Sequence, residues 1–408
     1  MKILFVNDYA VPQGGAEIMV LNLRDEFRAR GHDARLFASN AGESRNDSLA
    51  DYTCRGTTSR FRTLLQSANP SAAMKLRRVL DVFQPDIVHV KMFLTQLSPL
   101  ILPMLKNVRS VYHVVWYRPI CPLGTKLLPN GSSCESPPGL VCYRGGCLPL
   151  YDWFPLMFQM KLWRRWRGVF DLIVANSESV RLRLIAEGIE PVEVIPNGVQ
   201  SREARSAMSP NPTVAFAGRL VREKGVGVLL HAFAKVVQNI PTARLVICGD
   251  GPERISIERL TAELNLTGSV SILGFRPNEE IERIFREAWV VAVPSIWEEP
   301  FGHVAIEAMM NGVAVVASHS GGLGEVVREG QTGFLVQPGD SEALAAALLT
   351  LLGDSSLALR LGSAAHELAV AKFSRARMVD RFLQSYQSLG SANKIRSEAT
   401  APTLKRRP

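Results

Sequence analysis

The chain has 408 residues, of which 47% are hydrophobic and 21% are charged, and its net charge is +9. This composition indicates a globular protein of two or three domains and excludes a membrane-spanning helix, since no apolar run reaches the ~18 residues required. The positive charge favours anionic partners such as phosphates, nucleic acid or an anionic membrane face. The opening MKILFVND has too short an apolar run for a signal peptide, which predicts a cytoplasmic protein.

Short, nearly continuous apolar runs alternate with helical segments along the chain. In the first half the runs are KILFVN, DARLFA, DIVHVK, RSVYHVV, LIVANS and VEVIP. In the second half they are TVAFAG, ARLVICG, SVSILG, WVVAVPS, AVVAS and GFLVQP. Such runs are typical of strands buried on both faces of a parallel sheet, so the pattern predicts two doubly wound α/β domains with a cleft between them. Ligands of such sheets bind in the loops that follow the strands.

The domain boundaries follow from changes in composition. The polar, Pro- and Ser-rich stretch 201–212 predicts a linker. We therefore expect an N-terminal domain over 1–200, with an insert at about 117–150, and a C-terminal domain over 213–372. Residues 373–389 are expected to form a helix that returns to the N-terminal domain. Residues 390–408 lack a core-forming pattern, which predicts a disordered tail.

Two loops that follow strands have features of a phosphate site. After the first strand, Gly14 and Gly15 open a helix and expose backbone N–H groups, although a plain tight turn would use the same residues. After the first strand of the second half, Arg219 leaves the strand and Lys224 stands at a helix start. Two cations at a helix N-terminus suit a diphosphate, although solvated loop charges would give the same pattern.

The segment EEPFGHVAIE, residues 298–307, places one glutamate on each side of a predicted helix start. Pro300 suits the first turn, so we expect a helix from about residue 300 to Gly312. The first free N–H groups, which would cradle an anion or a polar ligand, would belong to Phe301, Gly302 and His303. Glu299 and Glu307 would lie ~12 Å apart, about the length of a sugar, a diphosphate and a ribose. An ordinary helix with solvated glutamates is the alternative.

Taken together, GGAE, PNGV, GRLVREKG, GDGPE and EEPFGHVAIEAMMNGVAVVASHSGGLGEVV resemble, in order and spacing, the motif series of glycosyltransferase family 4. The resemblance covers nearly the whole chain. It implies the GT-B architecture, with two facing Rossmann-like domains and a donor site in the cleft. It also implies that a sugar is transferred, with retention, from a nucleotide-diphosphate sugar to a glycan or lipid-linked acceptor, in cell-surface polysaccharide or glycolipid biosynthesis.

The resemblance implies roles for the residues of the last motif. Glu299 would contact hydroxyls of the donor sugar, together with backbone N–H groups of Phe301 and Gly302. Glu307 would hold the ribose hydroxyls. The two glutamates would thus lie at the two ends of a bound nucleotide sugar.

It also implies roles for residues of the earlier motifs. Arg219 and Lys224 would bind the diphosphate and stabilise the leaving group, and Gly15, next to Gly14, would place its backbone against the donor phosphate. His113 matches a family histidine near the transferred sugar. Because no D-x-D motif stands at a strand end, we expect the two cations to replace Mg²⁺, so that catalysis requires no cofactor.

Two other classes of function are compatible with parts of the pattern. A glycoside hydrolase could use Glu299 and Glu307, but their ~12 Å spacing exceeds the ~5–9.5 Å that such carboxylate pairs require. A sugar-nucleotide-binding protein without transferase activity, or an epimerase of similar architecture, would use the same donor site. Analysis of the products formed from a candidate donor separates these classes.

Four of the six cysteines crowd into the Gly- and Pro-rich insert, at Cys121, Cys134, Cys142 and Cys147. An insert without its own core favours a covalent or metal staple, and a cytosolic protein disfavours disulfides. No C-x-x-C pair is present, so a structural metal and simple thiols or disulfides are both left open.

The following stretch, LPLYDWFPLMFQMKLWRRWRG (148–168), interleaves aromatic residues with cations. That combination suits an anionic membrane surface, and the lipid-linked acceptors common in the family favour a peripheral location on the inner face of the cell membrane. A helix packed on the sheet with a basic outer face is the alternative. No nucleic-acid-binding module is recognisable, so we expect no nucleic-acid partner.

Overall fold

The computed structural model describes residues 1–11, 14–42, 49–59 and 62–399, and the strands within these residues form two sheets. The first sheet contains β1 (Lys2–Tyr9), β2 (Asp33–Ser39), β3 (Tyr52–Cys54), β4 (Ile87–Val90), β5 (Ser110–Val114), β6 (Leu172–Ala175) and β7 (Val192–Val194). The second contains β8 (Thr213–Ala217), β9 (Arg244–Cys248), β10 (Val270–Gly274), β11 (Val290–Val293), β12 (Ala314–Ser318) and β13 (Gly333–Val336).

Helices connect the strands. Those of the first half are α1 (Gly15–Ala29), α2 (Arg62–Ser67), α3 (Pro70–Phe83), α4 (Val141–Arg144), α5 (Leu150–Trp166) and α6 (Glu178–Ala186). Those of the second half are α7 (Val226–Asn239), α8 (Arg254–Glu263), α9 (Asn278–Glu287), α10 (His303–Met310), α11 (Leu323–Val326), α12 (Ser341–Gly353), α13 (Ser355–Phe373) and α14 (Arg375–Ala399). Short 3₁₀ helices cover Pro99–Leu105, Arg167–Val169 and Arg222–Lys224.

Every strand pair in both sheets is parallel. The first sheet has the order β3-β2-β1-β4-β5-β6-β7 and the second the order β10-β9-β8-β11-β12-β13. The direction of winding therefore reverses between β1 and β4 in one domain and between β8 and β11 in the other. Two such Rossmann-like domains make the GT-B fold, which confirms the predicted fold class.

The apolar runs become strands because both faces of each sheet are covered. Along β1, Ile3 and Phe5 join a core that contains residues of α1 and α14, while Leu4 and Val6 join the core on the opposite face. All twelve predicted strands are present. The three-residue edge strand β3 was not predicted, because it is too short and too polar to stand out in the sequence.

The C-terminal helix α14 belongs to the N-terminal domain by its contacts. Its Met378, Val379, Phe382 and Tyr386 pack in the same core as Phe5. The chain crosses between the domains twice, and the two crossings lie side by side. The N–H of Val199 donates to Phe373 O (2.9 Å), and the N–H of Arg375 donates to Val199 O (2.7 Å). The helix continues to Ala399, beyond the residue at which the disordered tail was predicted to begin, and 400–408 lie outside the described residues.

The predicted linker is packed against the C-terminal domain. Arg205 is 8% exposed, and its guanidinium donates to the carbonyl of Ala288. Its backbone N–H donates to Asn311 O at 3.0 Å. The stretch that the polar composition predicted to be a linker therefore has well-defined contacts with the C-terminal domain.

No single helix in the described residues is long and apolar enough to cross a membrane. Helices α12 and α13 would pass the same test as a pair, by length and composition only, and they are bent by 103° at the break between them.

Candidate active site

The reversal points of the two sheets bring together loops from both domains. In open α/β sheets, ligands bind at such points, outside the carboxyl ends of the strands. In the N-terminal domain Asp8, at the end of β1, holds the loop after β4 in place. Its carboxylate accepts hydrogen bonds from the backbone N–H groups of Thr95 (2.9 Å), Gln96 (2.7 Å) and Leu97 (2.9 Å). The end of β1 and the loop after β4, between which the winding of this sheet reverses, are thereby fixed to each other.

Lys224 and Glu299 form an ion pair between the loops after β8 and β11. The Nζ atom lies 2.7 and 3.0 Å from the carboxylate oxygens, which also accept from Ser295 Oγ (3.0 Å) and Trp297 Nε1 (3.0 Å). Burial acts to raise the pKa of Glu299, but Lys224 and the two neutral donors outweigh it and the pKa is lowered. Sequence reasoning assigned the two residues to different parts of the donor, whereas the structure binds them to each other.

Arg219 remains available to a ligand. Its side chain is 73% exposed, and its single ion pair in the described residues is a loose one with Glu223, at 3.9 Å. Arg219 also interacts electrostatically with Glu17 of the N-terminal domain. A charged guanidinium therefore lies at the cleft with room to bind an anion.

Helix α10 begins at His303, later than predicted, because Gly302 has a left-handed φ of +93° and Pro300 lies outside the helix. A Cβ at Gly302 would come 2.3 Å from Leu323 Cδ2, so leucine fills the space on the side of this glycine where a Cβ would stand. The Phe301 side chain is 4% exposed and packs on Phe373, with ring centroids 5.8 Å apart. The N–H groups at the helix start are therefore those that follow Gly302.

Glu307 lies on α10 with no hydrogen bond or ion pair for its carboxylate within the described residues. Burial raises its pKa to about 7. A half-buried carboxylate without a protein partner is costly unless a ligand supplies hydrogen-bond donors. Glu307 thus fits the predicted role of an acceptor for hydroxyl groups.

Gly14 and Gly15 have different neighbours at the start of α1. A Cβ on Gly14 would meet Glu17 Oε2 at 2.5 Å, whereas a Cβ on Gly15 would meet nothing within 4 Å. The open space at Gly15 agrees with a backbone that a phosphate approaches. The glycine at 14 instead makes room for the carboxylate of Glu17.

Two charged residues of this site were not singled out from the sequence. Lys91, directly after β4, is 1% exposed and donates through Nζ to Ala16 O at 2.9 Å. Burial lowers the pKa of Lys91 to about 7. The second residue is Glu17, which is half-buried; burial raises its pKa, and the positive charge of Lys91 acts to lower it. The position of Lys91, immediately after a strand at a reversal point, was the signal that could have identified it.

His113 is not positioned to contact a sugar in this structure. Its ring is fully buried, and neither ring nitrogen has a hydrogen-bond partner in the described residues. It packs against His89 and Phe382, with centroid distances of 5.4 and 5.0 Å. The reason is α14, which covers this face of β5. The expectation that His113 lies near the transferred sugar is therefore not met.

Direct contacts join the domains beside Glu299. Ser177 Oγ donates to Pro300 O at 2.6 Å. The carboxylate of Glu325, in the C-terminal domain, accepts from the backbone N–H groups of Glu178 (2.9 Å) and Ser179 (2.8 Å) at the start of α6. A carboxylate at a helix N-terminus is favourable because it meets unpaired N–H groups and the positive end of the helix dipole. These contacts hold the two halves of the cleft together.

The insert contains four free thiols, Cys121, Cys134, Cys142 and Cys147. Burial raises the pKa values of Cys142 and Cys147, and the neighbouring thiols add to the effect. Within the described residues, no three Cys, His, Asp or Glu side chains are arranged to hold a metal ion. The structural metal thus stays a prediction from the sequence alone. Elemental analysis of protein purified without a His-tag would decide it, because structural sites bind tightly.

Two family models match consecutive parts of the chain. "Glycosyltransferase Family 4" matches residues 13–203, and "Glycosyl transferases group 1" matches residues 200–368. A D-inositol 3-phosphate glycosyltransferase of Corynebacterium urealyticum is 35% identical over 226 residues, or 52% of this chain and 53% of that protein. The lipopolysaccharide core biosynthesis glycosyltransferase LpsE of Rhizobium meliloti is 35% identical over 173 residues, or 42% and 49%. The matched region thus spans about half the length of these curated relatives.

Solved structures resemble the chain over nearly its whole length. Sucrose-phosphate synthase from Thermosynechococcus elongatus has a TM-score of 0.74 at 24% identity, covering 96% of this chain and 100% of the other. Anabaena HepE in complex with UDP and glucose has a TM-score of 0.69 at 23% identity, covering 95% and 100%. At these identities the likeness concerns the fold. Since two models that together span residues 13–368 match the chain, and its fold is GT-B, it belongs to glycosyltransferase family 4.

Proposed function

We propose that the chain is a retaining glycosyltransferase that moves a sugar from a nucleoside-diphosphate sugar to a glycan or lipid-linked acceptor. The observation that carries the proposal is the Lys224–Glu299 ion pair at the reversal point of the second sheet, with the exposed guanidinium of Arg219 in the same loop as Lys224. The N-terminal domain reaches the same place, since Ser177 Oγ donates to Pro300 O at 2.6 Å. The relatives named above, an inositol-phosphate and a lipopolysaccharide core glycosyltransferase, and a structural neighbour that binds UDP and glucose support this class.

The charges suit the step in which the sugar–phosphate bond breaks. Negative charge then grows on the leaving diphosphate, and fixed cations stabilise it more strongly than they stabilise the intact donor. Arg219 would supply a guanidinium with five donors, and Lys224 a second positive charge whose direction is held by Glu299. Glu299 would then act in two ways, as an acceptor near the sugar and as the group that positions Lys224.

The configuration at the anomeric carbon is retained if the acceptor attacks the sugar from the same face from which the leaving group departs. The bond from the anomeric carbon to the phosphate oxygen breaks and the bond to the acceptor oxygen forms. The acceptor proton passes to the phosphate oxygen that leaves. In this scheme no side chain becomes a covalent nucleophile, which agrees with a Glu299 carboxylate already occupied by Lys224, Ser295 and Trp297.

A screen of UDP-, GDP- and ADP-sugars by thermal shift is the first test. A donor that binds only the folded protein, at about a hundred times its Kd, stabilises it by about 2.7 kcal/mol. We expect one nucleotide class to raise the Tm, and product analysis with that donor to show transfer. Binding without transfer would instead support a sugar-nucleotide-binding protein, and a changed donor sugar would support an epimerase.

Donor affinity is expected to depend on the ionisation of Glu307. Its pKa is about 7 in the folded protein, and only the carboxylate is a strong acceptor for ribose hydroxyls. Raising the pH from 6 to 8 increases the ionised fraction about tenfold, so donor Kd should fall by up to that factor. Calorimetric titration at several pH values measures this.

Glu307→Gln is the control for that experiment. Lys91 also has a pKa of about 7, and it becomes neutral as the pH rises, which would oppose the effect if it faces the diphosphate. The difference between wild type and Glu307→Gln therefore isolates Glu307, because both proteins keep Lys91. Equal pH dependence in the two proteins would contradict the role assigned to Glu307.

A further inference from the structure

Helix α5 presents two unlike faces. Its buried face is formed by Leu156, Gln159, Met160 and Trp163. On the opposite side lie Tyr151, Phe154 and Phe158, which are 77%, 62% and 51% exposed. Large apolar side chains are expected in contact with the core, so three exposed rings on one helix require an explanation.

The exposed rings continue into exposed cations along the same line. The spacing of 151, 154, 158, 161 and 165 alternates three and four residues, which places these side chains on one face of a helix. We call this set the aromatic–basic stripe; it consists of Tyr151, Phe154, Phe158, Lys161 and Arg165. At 1.5 Å per residue the stripe is about 21 Å long.

The cations of the stripe are free, in contrast to their neighbours. Lys161 and Arg165 are exposed and have no hydrogen bond or ion pair within the described residues. Arg164 donates to Pro138 O at 3.3 Å, and Arg167 donates to Gly188 O at 2.6 Å. Of the basic residues in this segment, Lys161 and Arg165 are therefore the ones available to a partner.

We propose that the aromatic–basic stripe docks the protein on an anionic lipid bilayer. Aromatic rings are stable at the depth of lipid headgroups, where their apolar surface leaves water, and adjacent cations meet the anionic headgroups. The charge complementarity favours this occupant, since the stripe contains two positive charges and no acidic residue, and the chain as a whole has a net charge of +9. The inference goes beyond the transferase function and does not rest on it.

Flotation of the full-length chain with liposomes tests the proposal. We expect binding to vesicles with about a third anionic lipid at low salt, and little binding to purely zwitterionic vesicles. Lys161→Ser with Arg165→Ser should weaken binding about fivefold for each charge removed. Tyr151→Ser with Phe154→Ser and Phe158→Ser should weaken it by on the order of a hundredfold, since each ring loses the burial of its exposed half.

Helix α3 supplies matched controls. Arg77 and Arg78 are exposed there, and Met74 and Val82 are 65% and 80% exposed. Arg77→Ser with Arg78→Ser changes the net charge by the same amount, and Met74→Ser with Val82→Ser removes exposed apolar surface elsewhere. Both controls should bind vesicles like wild type. Equal losses in the control and stripe variants would overturn the proposal, because binding would then reflect overall charge or apolarity.

The salt dependence of wild-type binding is a second test, and it does not require any variant to fold. Wild-type binding to anionic vesicles should fall steeply as salt is raised, because exposed charges are screened. No binding to anionic vesicles at low salt would overturn the proposal. A second outcome would also overturn it. If the protein does not bind vesicles but dimerises with increasing concentration, and Phe154→Ser abolishes the dimer, then the stripe binds a second copy of the chain. Donor binding measured by thermal shift should be unchanged in all stripe variants.

Discussion

Replacing Arg219 with alanine is expected to lower the kcat of sugar transfer by about 10²–10³-fold, the usual cost of removing one donor that stabilises developing charge. The Tm should hardly change, because the side chain is 73% exposed and its ion pair with Glu223 is loose. Lys224→Ala should lower kcat by a similar factor. It should also lower the Tm, because the buried carboxylate of Glu299 would lose its counter-charge.

Two further variants make this experiment specific. Arg222→Ala removes a guanidinium from the same loop. Arg222 donates to Pro129 O and Asn130 O in the insert, so this variant should leave kcat near wild type. Glu307→Gln should mainly raise KM for the donor, since a ribose contact is equally strong in the ground and transition states. Near wild-type kcat in both Arg219→Ala and Lys224→Ala would remove these cations from the mechanism.

Two buried histidines are each expected to lower the free energy of unfolding in acid, whereas Glu307, whose pKa is raised, acts in the opposite direction. His89 and His113 are both fully buried, and burial lowers the pKa of His89 to about 3 and that of His113 well below its ordinary value. In the unfolded chain each takes up a proton near pH 6.5. Each histidine has a lower pKa in the folded protein than in the unfolded chain. The contribution of these histidines to the free energy of unfolding is therefore fully present above pH 6.5 and is lost as the pH falls.

Well below pH 6.5 the unfolded chain holds more protons on these two side chains than the folded protein does. Together the two histidines should then reduce the free energy of unfolding by on the order of 2 kcal/mol per pH unit. His113→Leu should remove about half of that slope and leave kcat near wild type at pH 7.5. Urea denaturation between pH 7.5 and 5 measures the slopes.

His231→Leu is the matched control, because His231 is exposed. It should leave the pH dependence of unfolding unchanged. If His113→Leu and His231→Leu gave the same slope as wild type, the buried pair would not be the cause. A large loss of kcat in His113→Leu, without a loss of stability, would restore the role near the sugar that the family resemblance implies.

Some features of the candidate site could be predicted because they depend on neighbours in the chain. The glycines at the start of α1, the cations after β8 and the glutamates around α10 all follow strands, and the chain alone shows where its strands end. The start of α10 was misplaced by three residues, because a left-handed Gly302 and the packing of Leu323 outweigh the preference of Pro300 for a first turn. A local preference is weak compared with such contacts.

The sequence by itself determined the two-domain parallel architecture, because strands buried on both faces must be apolar throughout, and this is visible residue by residue. Only the tertiary structure decided which side chains meet. Lys224 reaches Glu299 across two loops, and Lys91 reaches the start of α1. Likewise, α14 closes over His113, while the aromatic face of α5 is left uncovered. These pairings join residues far apart in the chain, and they depend on how the layers pack, which no local pattern of residues encodes.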